Sequence, residues 1–307
     1  MRNMKTVIIW GHWACGKSTT IEELLALWGE ESVDFQTDRL EFVECVIEDV
    51  ERAHAQGNLE IIEVKEKEGG DKDEAKIKHI GLRGKYATLL LKPEQAPPEE
   101  GVEAFLEKIK EDQEFKQKVE FWLHDNTVGL EARRRLAREI IKGRSDPSGE
   151  FRLMEMAVSA FTEPDKEHDD SMWHANPFKQ TLEYNLQILE DEGVNLEEDV
   201  ILVYVDAGYE MRKLRNDLRD DPVDEGVFAT IGRDGGSLTD EFRHELKERG
   251  MPVFKIENNH RHERLFRREL IDLVEDEIRP ILEGGPRVQE GGRLFWPVPG
   301  GGPERVR

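Results

Sequence analysis

The sequence predicts an α/β protein, a three-layer sandwich in which helices cover a five-stranded parallel sheet. Three observations predict it. Short apolar runs alternate with segments of helical period, the pattern that βαβ units impose. Two of the runs, residues 6–10 and 200–205, are apolar without alternation, as strands buried on both faces must be. The first of them leads directly into a glycine-bounded turn, Gly11 to Thr19, and then into an amphipathic segment over 20–28.

Taken in order, the first strand (6–10) and first helix (20–28) are followed by a short strand at 33–36. A helix at 40–55 then places Leu40, Val43, Val46, Ile47 and Val50 on one face. Residues 58–92 break this rhythm: strand-like runs flank a charged turn at Gly69-Gly70-Asp71, which predicts a two- or three-stranded antiparallel insertion closed by Pro93 and Pro97-Pro98. A helix-rich stretch (101–142) and a loop (143–149) precede a third core strand at 151–158. Helices are expected at 178–189, 210–219, 238–249 and 262–282, and further strands at 200–205 and 252–256. The expected organisation is a core in two parts, 1–57 and 150–283, with a lid around 207–237. An acceptor-binding insertion spans 58–149, and a flexible Gly/Pro-rich tail spans 284–307.

Composition excludes several classes. Acidic residues outnumber basic ones by 67 to 44, and the resulting charge of −23 argues against wholesale binding of a phosphate backbone. No apolar run reaches the length of a membrane span, and residues 6–10 are too short for a signal peptide, so a cytoplasmic protein with no membrane partner is expected. The two cysteines, Cys15 and Cys45, form no disulfide framework and fit a reducing compartment. Cys15 reads as a small residue filling its turn.

The stretch Gly11-His12-Trp13-Ala14-Cys15-Gly16-Lys17-Ser18-Thr19 fits G-x-x-x-x-G-K-[ST], in the strand-turn-helix setting that motif requires. Each part has a physical task. The glycines let the backbone turn tightly and aim successive N–H groups inward, and the helix adds its partial positive N-terminus to the same anion hole. Lys17 reaches the outer phosphates, and the Ser18 hydroxyl ligates Mg²⁺. Five strands with this loop after the first define a P-loop NTPase fold that binds a nucleoside triphosphate. ATP and Mg²⁺ are the expected cofactors, and Glu155 and Asp206 are the candidates for a second, acidic metal ligand.

At the end of the second strand Phe35-Gln36-Thr37-Asp38-Arg39-Leu40 puts an acid and a base at the carboxyl edge of the sheet. Here the chain resembles the P-loop kinases that phosphorylate hydroxyls: polynucleotide kinase, zeta toxins, and shikimate and gluconate kinases. The resemblance implies that Asp38 takes the acceptor's proton and that Arg39 grips the acceptor; on the residues alone, Asp38 can equally cap the helix that follows. A second resemblance rests on Val203-Tyr204-Val205-Asp206-Ala207 followed by Arg212, Arg215 and Arg219. It implies a mobile lid whose arginines stabilise the transferring phosphoryl group. Lys255-Ile256-Glu257-Asn258-Asn259 resembles the turn that borders the adenine pocket of nucleoside monophosphate kinases, which would make Asn258 a nucleotide contact.

The expected activity is therefore transfer of the γ-phosphate of ATP to the hydroxyl of a nucleoside, nucleotide or small metabolite. A nucleic-acid hydroxyl kinase is the first alternative, because Arg133, Arg134, Arg135, Arg138, Lys142 and Arg144 form a basic stretch and Arg83 lies in a second one. A non-catalytic ATP-dependent interaction protein is the other. A GTPase is disfavoured: there is no N-K-x-D motif, and the single D-x-x-G match follows no strand.

Overall fold

The computed structural model describes residues 5–11, 14–29, 33–67, 75–98, 101–143, 151–157, 177–218, 240–259, 263–282, 288–290 and 293–295. The strands are β1 (Thr6–Gly11), β2 (Val33–Thr37), β3 (Glu60–Lys67), β4 (Ala75–Arg83), β5 (Ala87–Leu91), β6 (Glu120–Leu123), β7 (Phe151–Ala157), β8 (Val200–Asp206) and β9 (Val253–Glu257). A short pair follows, β10 (Val288–Glu290) and β11 (Arg293–Phe295). The helices are α1 (Lys17–Trp28), α2 (Asp38–Ala55), α3 (Val102–Glu111), α4 (Gln113–Lys118), α5 (Asn126–Gly143), α6 (Pro177–Asp191), α7 (Leu196–Asp199), α8 (Tyr209–Asp217), α9 (Asp240–Glu248) and α10 (Glu263–Leu273).

The chain divides into two compact units, residues 1–36, 138–158 and 176–307 in one and residues 37–137 and 159–175 in the other. The first is built on the five-stranded parallel sheet, ordered β2-β7-β1-β8-β9. The central strand is the most buried of the sheet: every residue of β1 is buried, and it pairs in register with β7 through Thr6↔Arg152 and with β8 through Thr6↔Val200. A strand that pairs on both sides and is covered on both faces has no position at which a polar side chain reaches water, which explains the unbroken apolar runs. Val7, Ile9, Leu24, Leu153, Ile201, Val203, Phe266 and Leu270 join β1, β7, β8, α1 and α10 in one core. Strand β2 lies at the edge and is half-exposed, and its Asp34 is ion-paired with the buried Arg152 at 2.5 Å. This is the predicted α/β architecture, a P-loop NTPase-like fold.

The second unit is an antiparallel sheet in the order β3-β4-β5-β6, together with α2, α3 and α4. Phe42, Val43, Val46, Ile47 and Val50 of α2 pack with Leu82, Leu89, Leu91, Val102, Leu106 and Ile109. Helix α2 is well specified locally. The Thr37 side chain caps its N-terminus, Asp38 and Glu41 occupy the first turn, and Arg52 and His54 the last, so both ends complement the helix dipole.

Four departures from the sequence reading have identifiable causes. The insertion has four strands instead of two or three: β6 is only four residues long, too short to show alternation, and becomes a strand by pairing Phe121 with Leu89. The second unit starts at residue 37 instead of 58, because the apolar face of α2 packs on β5 and α3. The closing helix is interrupted after α10 by a π-helical turn, Val274–Ile278, before Arg279–Leu282. Finally, the tail expected to be flexible contains the β10–β11 antiparallel pair, which joins Val288 to Phe295. Residues 144–149 of the expected loop and 219–237 of the expected lid lie outside the described residues.

Candidate functional site

The turn after β1 is shaped by positions that tolerate no ordinary side chain. A Cβ on Gly11 would collide with the Val205 carbonyl oxygen, so its glycine lets β8 pass close to the mouth of the loop. Gly16 adopts φ +104° as the N-cap of α1, a left-handed conformation open to glycine. A Cβ on Gly16 would also fall on the Asn258 amide. Ala14 has φ +55° as well, a conformation that an L residue keeps only where its surroundings hold it.

Helix α1 starts at Lys17, so its N-terminal end faces the loop. Thr20 Oγ1 donates back to the Gly16 carbonyl at 2.9 Å and closes the first turn. Lys17 is 8% exposed, and its Nζ donates to the Gly11 carbonyl oxygen at 3.0 Å, which folds the ammonium across the turn. Ser18 is exposed and Thr19 half-buried, so a hydroxyl at the first turn of α1 is open to a ligand. Cys15 is buried, and burial pushes its thiol above the ordinary value of 9.0, opposed by the nearby Lys17 charge. The thiol therefore stays neutral at physiological pH and fills space. His12 and Trp13 lie outside the described residues.

Two arginines of α8 approach this turn. Arg215 donates through Nη1 to the Cys15 carbonyl at 3.1 Å and the Ala14 carbonyl at 3.4 Å. Through Nη2 it donates to the Asn258 backbone and side-chain oxygens, each at 2.9 Å. Arg212 is buried and donates through Nε to the Ala207 carbonyl at 2.9 Å. Burial lowers the proton affinity of both guanidinium groups. Arg219 lies outside the described residues. Asn258, read from the sequence as bordering an adenine pocket, is buried beneath the loop, where its Nδ2 donates to the Cys15 carbonyl at 2.8 Å.

Of the two acids considered as a second metal ligand, Asp206 ends β8. Its carboxylate is ion-paired to Lys255 at 3.0 Å and accepts from the Tyr204 hydroxyl at 3.3 Å. Glu155 lies in β7 opposite Ile9. Among the described residues no group of three or more His, Cys, Asp or Glu is arranged to hold a metal by itself.

The acceptor-side expectations fare differently. Asp38 is not presented as a free carboxylate: at 2% exposure it is the first residue of α2, and its Oδ2 accepts from Arg133 Nη1 at 2.8 Å. Arg133 is equally buried and lies over the Phe42 ring, 5.0 Å from its centroid, so it is not a surface contact for an acceptor. The neighbouring cations are also engaged. Arg135 makes a two-pronged pair with Glu48 at 2.9 and 2.6 Å, Arg138 pairs with Glu192, and Lys142 with Glu139. Arg39 donates to the Val119 carbonyl at 2.8 Å, Arg83 faces Glu60 at 3.4 Å, and Arg134 is exposed. The basic stretch of the sequence is thus largely a set of local ion pairs. Sequence reasoning missed the brace formed by Arg215 and Asn258. Its signal, an Asn at the end of the last core strand, gains meaning only once that strand lies beside the loop.

Sheet order, loop and helix together define the class, a P-loop NTPase-like fold with the glycine-bounded loop between its central strand and first helix. No family model matches the chain, and no curated protein matches it. Among solved structures it is similar to TT1252 from Thermus thermophilus, with 17% identity over 89% of this chain and 98% of that one, at a TM-score of 0.37. A likeness of that degree supports no inference about this chain. No helix among the described residues is long and apolar enough to cross a membrane.

Proposed function

We propose that the chain is an ATP- and Mg²⁺-dependent kinase that passes the γ-phosphate to a hydroxyl of a nucleoside, nucleotide or small metabolite. The observation that carries this reading is the loop from Gly11 to Thr19. Its left-handed Gly16, the α1 N-terminus, Lys17 and the exposed Ser18 hydroxyl are the groups that an anion hole with a metal-binding edge requires. In this reading ATP supplies the phosphoryl group. Loop amides and Lys17 hold the triphosphate, and Ser18 holds Mg²⁺, assisted by Glu155 or Asp206. Arg212 neutralises charge near the loop, and Arg219 is a further candidate from the segment after α8. Phosphoryl transfer asks for positioning and charge compensation more than for covalent chemistry, so such a site can work without an exposed base. Asp38 then serves by fixing the start of α2 directly after β2.

The engagement of Asp38 with Arg133 favours one further reading, an ATP-dependent interaction protein without transfer. The pairing of Arg135, Arg138 and Lys142 with glutamates weighs against a nucleic-acid acceptor.

A transfer assay with γ-labelled ATP separates these readings. The purified protein, offered nucleosides, nucleotides, polyols and nucleic acids in parallel, is expected to label a small hydroxyl acceptor. Lys17→Ala is expected to lower that rate by at least about 10²-fold, the scale of losing one preorganised charge-stabilising group. ATP binding with no label on any acceptor would favour the interaction protein. Label on nucleic acid would restore the arginine stretch as a substrate track.

A further inference from the structure

Resting on the reading that the loop holds a triphosphate, we propose that Asn258 and Arg215 form a brace that presets the loop. Asn258 is then a positioning residue and not a contact to the base. The brace joins three segments of the parallel-sheet unit. Asn258 N donates to the Asp206 carbonyl at 2.6 Å, which fixes the end of β9 to the end of β8. Its Nδ2 donates to the Cys15 carbonyl at 2.8 Å, and its Oδ1 accepts from Arg215 Nη2 at 2.9 Å, so both ends of the amide are used. Arg215, rooted in α8, adds donors to the carbonyls of Ala14 and Cys15.

The consequence follows from peptide geometry. In a trans peptide the C=O and the N–H of the next residue point in opposite directions. Carbonyls of Ala14 and Cys15 drawn toward the brace therefore turn the N–H groups of Cys15 and Gly16 to its opposite side, where phosphate oxygens are to be received. The same contacts account for two unusual conformations, Ala14 at φ +55° and Gly16 at φ +104°, which flank the pinned carbonyls. Removing the brace frees those peptides to rotate, and their donors then have to be ordered at the moment of binding. Because Arg215 belongs to α8, the seating of that helix governs how well the loop is prepared.

Calorimetric titration of the full chain with MgATP and with inorganic tripolyphosphate, alongside thermal melting, tests this. Asn258→Asp keeps the size and the Oδ1 acceptor but sets an anionic oxygen against the Cys15 carbonyl. Arg215→Met removes the donors, and Arg215→Lys returns one of them. Asn258→Asp and Arg215→Met are each expected to weaken both ligands equally, by about tenfold or more, the scale of a lost charge-assisted hydrogen bond. Together they should cost less than the sum of the two, and Arg215→Lys should recover part of the affinity. Loss confined to ATP would overturn the proposal by making Asn258 a base contact. A lower melting temperature with unchanged affinities would overturn it by making the brace merely structural, and wild-type protein that binds ATP but not tripolyphosphate would do so by denying a preset anion hole. Wild-type protein that binds neither ligand would sink the triphosphate reading itself. Should Asn258→Asp fail to fold, the Arg215 pair of variants carries the same comparison.

Discussion

In the parallel-sheet unit the half-buried Arg215 and the buried Asn258 direct donors at main-chain carbonyls of the loop, whereas in the antiparallel unit Asp38 and Arg133, and Lys116 and Glu44, pair side chain with side chain. In the proposed brace, the first arrangement turns the loop amides away from the carbonyls it grips. The second closes side-chain charge on side-chain charge. Buried polarity of the first kind prepares a site, and buried polarity of the second kind specifies a packing arrangement. Asp49 shares a feature of each: its Oδ2 accepts from main-chain donors, the N–H groups of Tyr86 and Ala87 at 2.7 and 3.0 Å, yet the contact specifies packing by tying α2 to the start of β5.

The sharpest way to break this contrast is at Asp38. Asp38→Ala leaves Arg133 buried without its carboxylate and is expected to destabilise the antiparallel unit by about 3–5 kcal/mol in denaturant melts. Asp38→Leu combined with Arg133→Met removes both charges and should recover most of that stability. If the double variant also keeps its phosphoryl-transfer rate, Asp38 is structural. A loss of about 10²–10⁴-fold in rate with stability restored would instead return it to the role of general base.

The two cysteines allow a comparison by pH, one in each unit. Burial raises both thiols, that of Cys45 to about 12 from an ordinary 9.0. Above pH 9 the unfolded chain releases this proton while the folded chain retains it. Folded stability therefore falls as pH rises from 9 toward 12, by up to about 1.4 kcal/mol per unit for Cys45. Cys45→Ala should flatten the alkaline limb of the stability profile relative to wild type, and an identical slope in the variant would refute the assignment. The smallest effect is expected at the partly exposed Arg135–Glu48 pair, where Arg135 holds the Glu48 carboxyl below its ordinary 4.5. Its contribution is present above pH 4.5 and fades as the carboxylate is protonated below it. Arg135→Gln should cost under about 1 kcal/mol at neutral pH, less at high salt, and almost nothing in acid.

How much was legible depended on whether a signal was local. The unbroken apolar runs of β1 and β8 and the glycine spacing of the loop are local in the chain, and they read directly as buried strands and an anion-binding turn. Strand β6 did not read, because four residues carry too little period and its identity comes from pairing with β5. The arginines at 133–138 are written as one basic run, yet on a helix successive residues face different directions, so Arg133 meets Asp38, Arg135 meets Glu48 and Arg138 meets Glu192. Asn258 lies 243 positions from its partner Cys15, beyond any pattern in the sequence.

By itself, then, the sequence determined the α/β class and the place of the glycine-bounded loop between the first strand and the first helix, because backbone conformation and burial period are set by near neighbours. Only the tertiary structure decided that Asp38 and Arg133 neutralise one another, that α2 belongs with the antiparallel sheet, and that Arg215 and Asn258 converge under the loop. A charge or an amide acquires its role from whatever partner folding brings within hydrogen-bonding distance, and those partners lie up to hundreds of residues away along the chain.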